Sequence, residues 1–443
     1  VTVCGFMEAN RGKGAICFVD LRDGTGKLQV FLKGDTIGEE NLDLVQRMTR
    51  ESTLQFTGTV AQKRPPKVKE GETPPPPAYE VVANDVHVLT RADVPLPLGI
   101  TDTVSIGLDT RLDNRFLDLR RAHVNAMFTL RARVLQYGRE HLIAEGFKEI
   151  NTPKIIASAS EGGTNLFPMM YFDTPAFLSQ SPQLYKQIMV GVFERVFTFA
   201  TAFRAEKSAT SRHLSEYTSL DMEMGFIKDH TDVMRMETGL MKYITASLKE
   251  HNQNDLDTLG VELPAIPEGD IFPHMKLREA QALIKKETGE DKTNEPDLEP
   301  EDERWLCEYA KKELGSDFIF ITHYPVSKRP FYTYEDEEDE GFTKSFDLLF
   351  RGVEITTGGQ RIHDLATLKE KASAKGLDLS KFDFYFQAFK YGVPPHGGWG
   401  MGLERLTAKF CGVANVKEAT LFPRDINRID TFTSKDQSDS AEI

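Results

Sequence analysis

Over residues 1–93 apolar and polar positions alternate in short runs broken by turn residues, the period of half-buried strands. The runs predict strands at Val1–Phe6, Ala15–Arg22, Lys27–Leu32, Thr53–Val60 and Tyr79–Leu89. Asp23-Gly24-Thr25-Gly26 is a hairpin turn between the second and third. Leu42–Arg50 is helix-like and falls between the third and fourth strands. Five strands with a helix after the third predict a small OB-type barrel. Lys63 to Pro77, with prolines at 74–77, predicts a loop.

Periodicity fades over residues 94–118, which are rich in Pro, Gly and Asp and predict a linker with at most a small helical turn. It returns at Leu119–Glu145 as a long amphipathic helix, with Met127, Leu130, Val134, Tyr137 and His141 at helical spacing and Gly146 as C-cap. Phe147–Pro153 follows as an extended strand. Core packing and a dimer interface both suit this helix–strand unit. Glu161 to Asn165 is a flexible polar turn around two glycines. Gln180–Gln187 opens a helix with Pro182 near its first turn, which sets Gln183 and Lys186 on one face.

Phe203–Phe226 predicts two antiparallel strands around a polar loop, Lys207–Ser211, leaving on an alternating tail of Leu220, Met222, Met224 and Phe226. Met234–Asn252 predicts a helix, as do Lys276–Glu287 and Glu303–Leu314, with a strand at Phe318–Thr322. No chemistry is assigned to the charged region 253–340. Phe346–Ile362 alternates into a Gly-Gly turn, and Gly397–Gly402 leads into a helix over Leu403–Phe410.

At 443 residues the chain calls for two or three domains. There is no run of 18 apolar residues, so no membrane span is expected, and the N-terminus carries no signal-peptide pattern. The chain begins on Val1 rather than Met, and the native start is expected to precede it. Cys4, Cys17, Cys307 and Cys411 form no CxxC pair, which points to reduced thiols in a cytoplasmic protein. A net charge of -14 excludes a generic nucleic-acid coat but not a nucleic-acid enzyme with local basic patches. The acid run Glu335–Glu340 is expected to be a solvated loop tip.

Candidate chemistry sits at a few places. Arg204 and Arg212 flank the hairpin loop, where two fixed cations suit a polyphosphate; a solvated hairpin with surface ion pairs fits equally. Asp347 and Glu354 are seven apart, an odd spacing that separates them in a regular strand. A turn or bulge at Arg351-Gly352 would bring them together as magnesium ligands; otherwise they are ordinary surface acids. Arg361 follows two glycines and could face an anion. The glycine-rich strand–helix junction ending at Arg405 lets backbone amides approach a nucleotide, although it is neither a Rossmann nor a Walker pattern. Lys186 is either solvated or part of a polar cluster. In the barrel, Phe18 is a stacking platform or plain core, and Gln29 could read a base edge.

These pieces resemble the class II aminoacyl-tRNA synthetases, most closely the aspartyl group of the archaeal and eukaryotic type, over essentially the whole chain. Phe147–Pro153 with its leading helix looks like motif 1, which builds a homodimer. Phe203-Arg204-Ala205-Glu206 with Arg212-His213 and Tyr217 looks like motif 2, and Gly398–Arg405 like motif 3. The resemblance implies an α+β fold: an N-terminal OB-fold anticodon-binding domain over 1–93, a hinge over 94–118, and a class II catalytic domain over 119–443. That domain is an antiparallel sheet flanked by helices, with an insertion around 253–340.

The resemblance further implies that ATP and L-aspartate form an aspartyl-adenylate, which passes to the 3′ end of tRNA(Asp) with Mg2+ as cofactor. Arg204 and Arg405 are the implied catalytic residues. ATP would be held by Arg204, Ala205, Glu206, Arg212, His213, Leu214, Tyr217, Glu354, Gly402, Leu403, Glu404 and Arg405. Aspartate would be held by Glu161, Gln183, Lys186, Arg204, Thr357 and Arg361, with Lys186 and Arg361 on its side-chain carboxylate. Asp347 and Glu354 match the metal acids, and Phe18 and Gln29 the anticodon readers. Tyr217 stands where the family usually has Phe or a related aromatic, and Thr357 where Ser is usual. An asparaginyl enzyme and a non-catalytic tRNA-binding paralogue are the competing readings. Lys186 speaks against the first, and the presence of Arg204, Arg405, Asp347 and Glu354 against the second.

Overall fold

The computed structural model describes residues 1–64, 76–101, 104–157 and 165–430. The chain forms two compact units, residues 1–97 and 98–443. In the first, β1 (Thr2–Arg11), β2 (Ile16–Arg22), β3 (Lys27–Lys33), β4 (Thr53–Gln62) and β5 (Tyr79–Thr90) close into a barrel of order β1-β2-β3-β5-β4. The period of two points Met7, Cys17, Val19, Leu21, Val30, Leu32, Leu54 and Phe56 into the barrel. Phe18 and Gln29 therefore fall on the outer face, and Phe18 is not barrel core. The expected helix at Leu42–Arg50 is replaced by α1 (Gly34–Ile37) and α2 (Glu39–Gln46). The chain turns after Gln46, and both oxygens of the buried Glu51 carboxylate take 2.8 Å bonds from Arg22.

The expected linker carries two short helices, α3 (Leu108–Asp113) and α4 (Arg115–Asp118). Buried charge holds them instead of an apolar stripe, so periodicity could not reveal them. Arg115 pairs with Asp118 and donates to the carbonyls of Glu418, Thr420 and Leu421, while Arg111 bridges Asp118 and Glu418. The long helix α5 (Ala122–Ala144) buries Met127, Leu130, Val134 and Tyr137. Gly146, at φ +84°, ends it, and Phe147 N–H donates back to Leu142 O. Of Phe147–Pro153, only β6 (Lys148–Glu149) joins a ladder. Ile150 N–H makes a last bond to Phe197 O before the chain leaves toward Pro153.

A small sheet of β7 (Ile155–Ile156), β8 (Pro168–Tyr171) and β9 (Thr174–Leu178) leads to α6 (Gln183–Phe193). The main sheet adds β10 (Arg195–Phe203), β11 (Glu216–Gly225), β12 (His274–Lys276), β13 (Phe318–Thr322), β14 (Ser345–Phe350), β15 (Val353–Arg361) and β16 (His396–Gly402). Its order is β12-β13-β14-β15-β16-β11-β10-β6, antiparallel except at the outermost pairs. One face packs Phe197, Leu220, Met222, Phe346, Leu348, Trp399 and Met401 against α5, α7 (His230–His251) and α13 (Leu403–Phe410). On the other face β11 and β15, with Asp347 of β14, carry polar side chains, whereas Ile319, Ile321 and Leu349 build a second apolar core. Helices α8 (Gln253–Leu259), α9 (Leu277–Thr288) and α10 (Pro300–Leu314) belong to the 253–340 region, and α11 (Leu365–Ala374) and α12 (Asp383–Lys390) pack beside α6. Among the described residues no helix is long and apolar enough to cross a membrane.

Three local expectations change. The Gly-Gly pair is not a turn but lies inside β15, where a Cβ on Gly358 would come within 2.5 Å of Phe346 Cζ. The turn is Arg351-Gly352, with φ +46° and +83°. In the acid run, Asp336 is buried, because His323 Nε2 lies 3.0 Å from its carboxylate and Lys344 3.7 Å. Phe226 does not continue the apolar stripe of β11; it follows the strand at φ +58° and is 71% exposed.

Candidate active site

A cavity of about 440 Å³ opens on the polar face of the sheet. Every residue lining it lies between Ser181 and Val416, in the second unit. The β10–β11 loop supplies one wall and is wider than expected: β10 ends at Phe203 and β11 starts at Glu216, so Arg204 and Arg212 both belong to the loop. Arg204 N–H donates to Ser215 O at 2.9 Å, and its guanidinium lies 5.7 Å from the Tyr217 ring centroid. Ala205 is fixed through its N–H to Asn165 O, whose side-chain amide reaches Glu206 at 3.4 Å. Arg212 donates to Glu303 Oε2 at 2.8 Å and to Gly352 O at 3.0 Å. His213 Nδ1 lies 2.7 Å from Thr210 Oγ1. Burial, then the charges of Arg405, Arg204 and Arg212, push its pKa down, which favours the neutral ring.

Strands β14 and β15 carry the paired acids. A bulge skips Ile355: Leu348 faces Thr356 and Leu349 faces Glu354. It puts Glu354 and Thr357 on one side of β15, with Thr357 Oγ1 donating to Glu354 Oε1 at 3.0 Å, and Thr357 faces Asp347 across the ladder. Asp347 is buried and pairs with Arg329 at 2.8 Å. Burial pushes its pKa up to about 6; the Glu354 charge adds to this and Arg329 opposes it. The two acids are therefore electrostatic neighbours despite their odd spacing.

Strand β16 ends at Gly402, and Arg405 in the first turn of α13 donates to Glu354 O at 2.9 Å. Glu404 turns under the hairpin, accepting Thr218 N–H at 3.1 Å on each oxygen and Arg131 at 2.6 Å. Gly402, Glu404, Leu214 and Tyr217 lie on the cavity wall. Leu403 is buried in the core behind the sheet, so only its backbone is available to a ligand.

The remaining polar positions form one buried charge network. Arg361 donates to Glu223 Oε1 at 2.9 Å and to Gly398 O at 2.8 Å. Lys186 Nζ donates to Asp221 at 2.8 Å and lies 3.3 Å from Glu223 Oε2. Burial works against the Glu223 charge, but Arg361 and Lys186 outweigh it and hold its carboxyl below the usual range. Arg361, Gln183 and Thr357 line the cavity; Lys186, 1% exposed, stands behind Asp221. Lys186 and Arg361, the two cations expected on the aspartate side chain, each already have a carboxylate partner in the fold. Glu161 lies outside the described residues. Phe18 and Gln29 belong to the other unit. The ring centroids of Phe18 and Phe31 are 4.9 Å apart, and Gln29 is held between Glu80 at 2.6 Å and Lys63 at 3.3 Å.

Asp221, Glu223 and Glu303 were not singled out from the sequence. For the first two the signal was present: they alternate with Leu220, Met222 and Met224, whose apolar face alone drew attention. Glu303 had no local signal, because it meets Arg212 from 91 residues away.

An OB barrel followed by an antiparallel sheet, with a cavity lined by arginines and Glu354 and with Asp347 buried beside Thr357, has the architecture of a class II synthetase. The family model for tRNA synthetases class II (D, K and N) matches residues 107–426, and that for the OB-fold nucleic acid binding domain matches residues 1–89. The chain belongs to this D, K and N family of class II tRNA synthetases. It is 42% identical to an aspartate–tRNA(Asp/Asn) ligase of Deinococcus radiodurans, over 97% of this chain and 95% of that one. It is 41% identical to an aspartate–tRNA(Asp) ligase of Thermoplasma acidophilum, over 97% and 96%. The aspartyl-tRNA synthetase structure from Entamoeba histolytica superposes with a TM-score of 0.84 at 32% identity, covering 97% of this chain and 89% of that one.

Proposed function

We propose that this chain is an aspartate–tRNA ligase, which activates L-aspartate with ATP and transfers it to tRNA(Asp). The observation that carries the reading is the convergence of Arg204, Arg212, Arg405 and Arg361 on one cavity, in a chain this similar to ligases so named. The α-carboxylate of aspartate attacks the α-phosphorus of ATP; an O–P bond forms and the bond to pyrophosphate breaks. The carboxylate is already ionised at neutral pH, so no general base is needed. The protein contributes position and charge: Arg204 at the reacting phosphate and Arg405 at the leaving pyrophosphate. Tyr217, with Arg204 over its ring, is the adenine platform. Arg361, oriented by Glu223, receives the aspartate side chain, and Lys186 fixes Asp221 and Glu223 behind it. The tRNA 3′-hydroxyl then takes the aspartyl group and AMP leaves.

Glu354, Asp347 and Thr357 fit a magnesium ion: they are hard oxygen donors, and burial, with the Glu354 charge adding to it, raises the Asp347 pKa, a cost that a cation there would offset. Bound there, the metal would neutralise phosphate charge. In the barrel, Phe18 and Gln29 on the outer face read the anticodon. The homodimer forms through α5 and β6, a reading supported by the position of β6 at the sheet edge, where its outer backbone groups await a partner. A cytoplasmic location is part of the same reading, supported by four cysteines that form no disulfide.

Aspartate-dependent ATP–pyrophosphate exchange tests the reading. Arg204→Ala is expected to lose nearly all exchange while keeping its thermal midpoint. Wild-type exchange in that variant, or faster exchange by the parent chain with asparagine than with aspartate, would defeat the assignment.

A further inference from the structure

Helix α10 lies in the region to which the sequence assigned no chemistry, yet it sends a side chain to Arg212 and Glu354, two residues of the cavity wall. Glu303 stands in its first turns, almost fully buried. Its Oε2 does two things at once: it accepts Arg212 Nη1 at 2.8 Å and the backbone N–H of Glu354 at 3.2 Å. Arg212 is braced from the other side by Gly352 O, at the β14–β15 turn. Glu354 in turn accepts Arg405 through its backbone carbonyl and holds Thr357 with its side chain. One carboxylate thus joins the hairpin arginine, the metal-acid strand and, through Glu354, the arginine of α13.

The electrostatics agree with a role through Arg212. Burial and the neighbouring Glu354 charge both disfavour ionised Glu303, and Arg212 is the cation that opposes them. The net effect raises the Glu303 pKa, and the carboxylate form depends on Arg212 as its cation partner. Two N–H groups of Arg212 are spent on Glu303 and Gly352, which leaves three of the five that an arginine carries for a ligand.

We infer that Glu303 is a positioning residue that sets the Arg212 guanidinium, and with it the Glu354 backbone, for the phosphates of ATP. The inference rests on the proposed function, since the anion is the ATP of that reaction. Glu303 would touch neither substrate nor metal; it would act through the two groups it holds.

The test is pyrophosphate exchange by the full chain carrying Glu303→Gln, alone and in an Arg212→Ala background, with thermal midpoints measured alongside. Glu303→Gln is expected to raise KM for ATP roughly five- to tenfold, the loss expected when a charge-assisted bond becomes a neutral one, and to leave KM for aspartate within about twofold. In the Arg212→Ala background the same change should add much less to the ATP effect, because the route through Arg212 is already cut and only the contact to the Glu354 backbone is left. Glu303→Asp keeps the charge but loses the reach; it should give the same split and serves where the Gln variant does not fold. Equal rises in both KM values, full additivity with Arg212→Ala, or a lower KM for ATP would each overturn the inference. The last would mean that Glu303 restrains Arg212 away from the nucleotide. If the parent chain shows no aspartate-dependent exchange, the functional reading fails first and takes this inference with it.

Discussion

Lys186 changes meaning most between sequence and structure. From spacing it is a cation on a helix face; in the fold it is sealed under the cavity floor with Asp221, Glu223 and the carbonyls of Met222 and Trp399. Burying three charges in one place is costly, and the network is tolerable only while every member is paired. Removing the lysine leaves Asp221 without its nearest cation and Glu223 with Arg361 alone. Lys186→Met should therefore cost roughly 3–5 kcal/mol of stability, beyond any effect on aspartate. Removing the stranded acid as well should recover part of the loss. The double variant Lys186→Met/Asp221→Asn is expected to melt at a higher temperature than Lys186→Met alone. A lower midpoint in the double variant would show that Lys186 stabilises through packing instead of charge. Calorimetric midpoints at one pH decide between the two.

At the scale of elements, most of the fold was legible where one rule governed a whole segment. The barrel strands and α5 follow plain periods of two or 3.6, the strand Phe318–Thr322 is a continuous apolar run, and all lie close to where those patterns put them. What escaped depends on partners far away in sequence. Helices α3 and α4 exist because Arg115 reaches carbonyls some 300 residues on, which no window on 94–118 contains. The same limit hid the bulge in β15: an odd spacing of acids raised the question, and only the ladder with β14 answers it. The Gly-Gly pair misled for a related reason. Glycine marks turns, but it also marks close approach between neighbouring strands, and Gly358 serves the second purpose between Phe346 and Trp399. Gly358→Ala should thus behave as overpacking of a rigid sheet. The added Cβ meets Phe346 Cζ at 2.5 Å and Trp399 Cβ at 2.8 Å, for an expected loss of about 1–3 kcal/mol or more. Gly99→Ala, with nothing within 4 Å of its added Cβ, should stay within about 0.5 kcal/mol of the parent. Similar midpoints for the two variants would refute the close-packing account of β15.

At the scale of the molecule, the described residues that line the cavity all belong to the second unit. The residues lining the cavity run from Ser181 to Val416, and the core behind the sheet is built from Val124 to Ala419. The barrel has its own core, Met7 to Val86, closed by strands that pair only with one another. A unit with a complete core and complete strand pairing carries what it needs to fold alone. Activation and tRNA selection should then separate physically. Residues 98–443, produced without the barrel, are expected to keep aspartate-dependent pyrophosphate exchange within about threefold of the full chain, because no side chain on the cavity wall has been removed. Aminoacylation should fall much further, by roughly a hundredfold or more in kcat/KM for tRNA(Asp), since the surface at Phe18 and Gln29 proposed to read the anticodon goes with the barrel and each stacked base would contribute about 1–3 kcal/mol. In the full chain, Phe18→Ala and Gln29→Ala should reproduce part of that loss and leave exchange unchanged. If the fragment is folded by circular dichroism yet loses exchange and aminoacylation together, the barrel supports the catalytic unit itself and the two functions are not separable in this way.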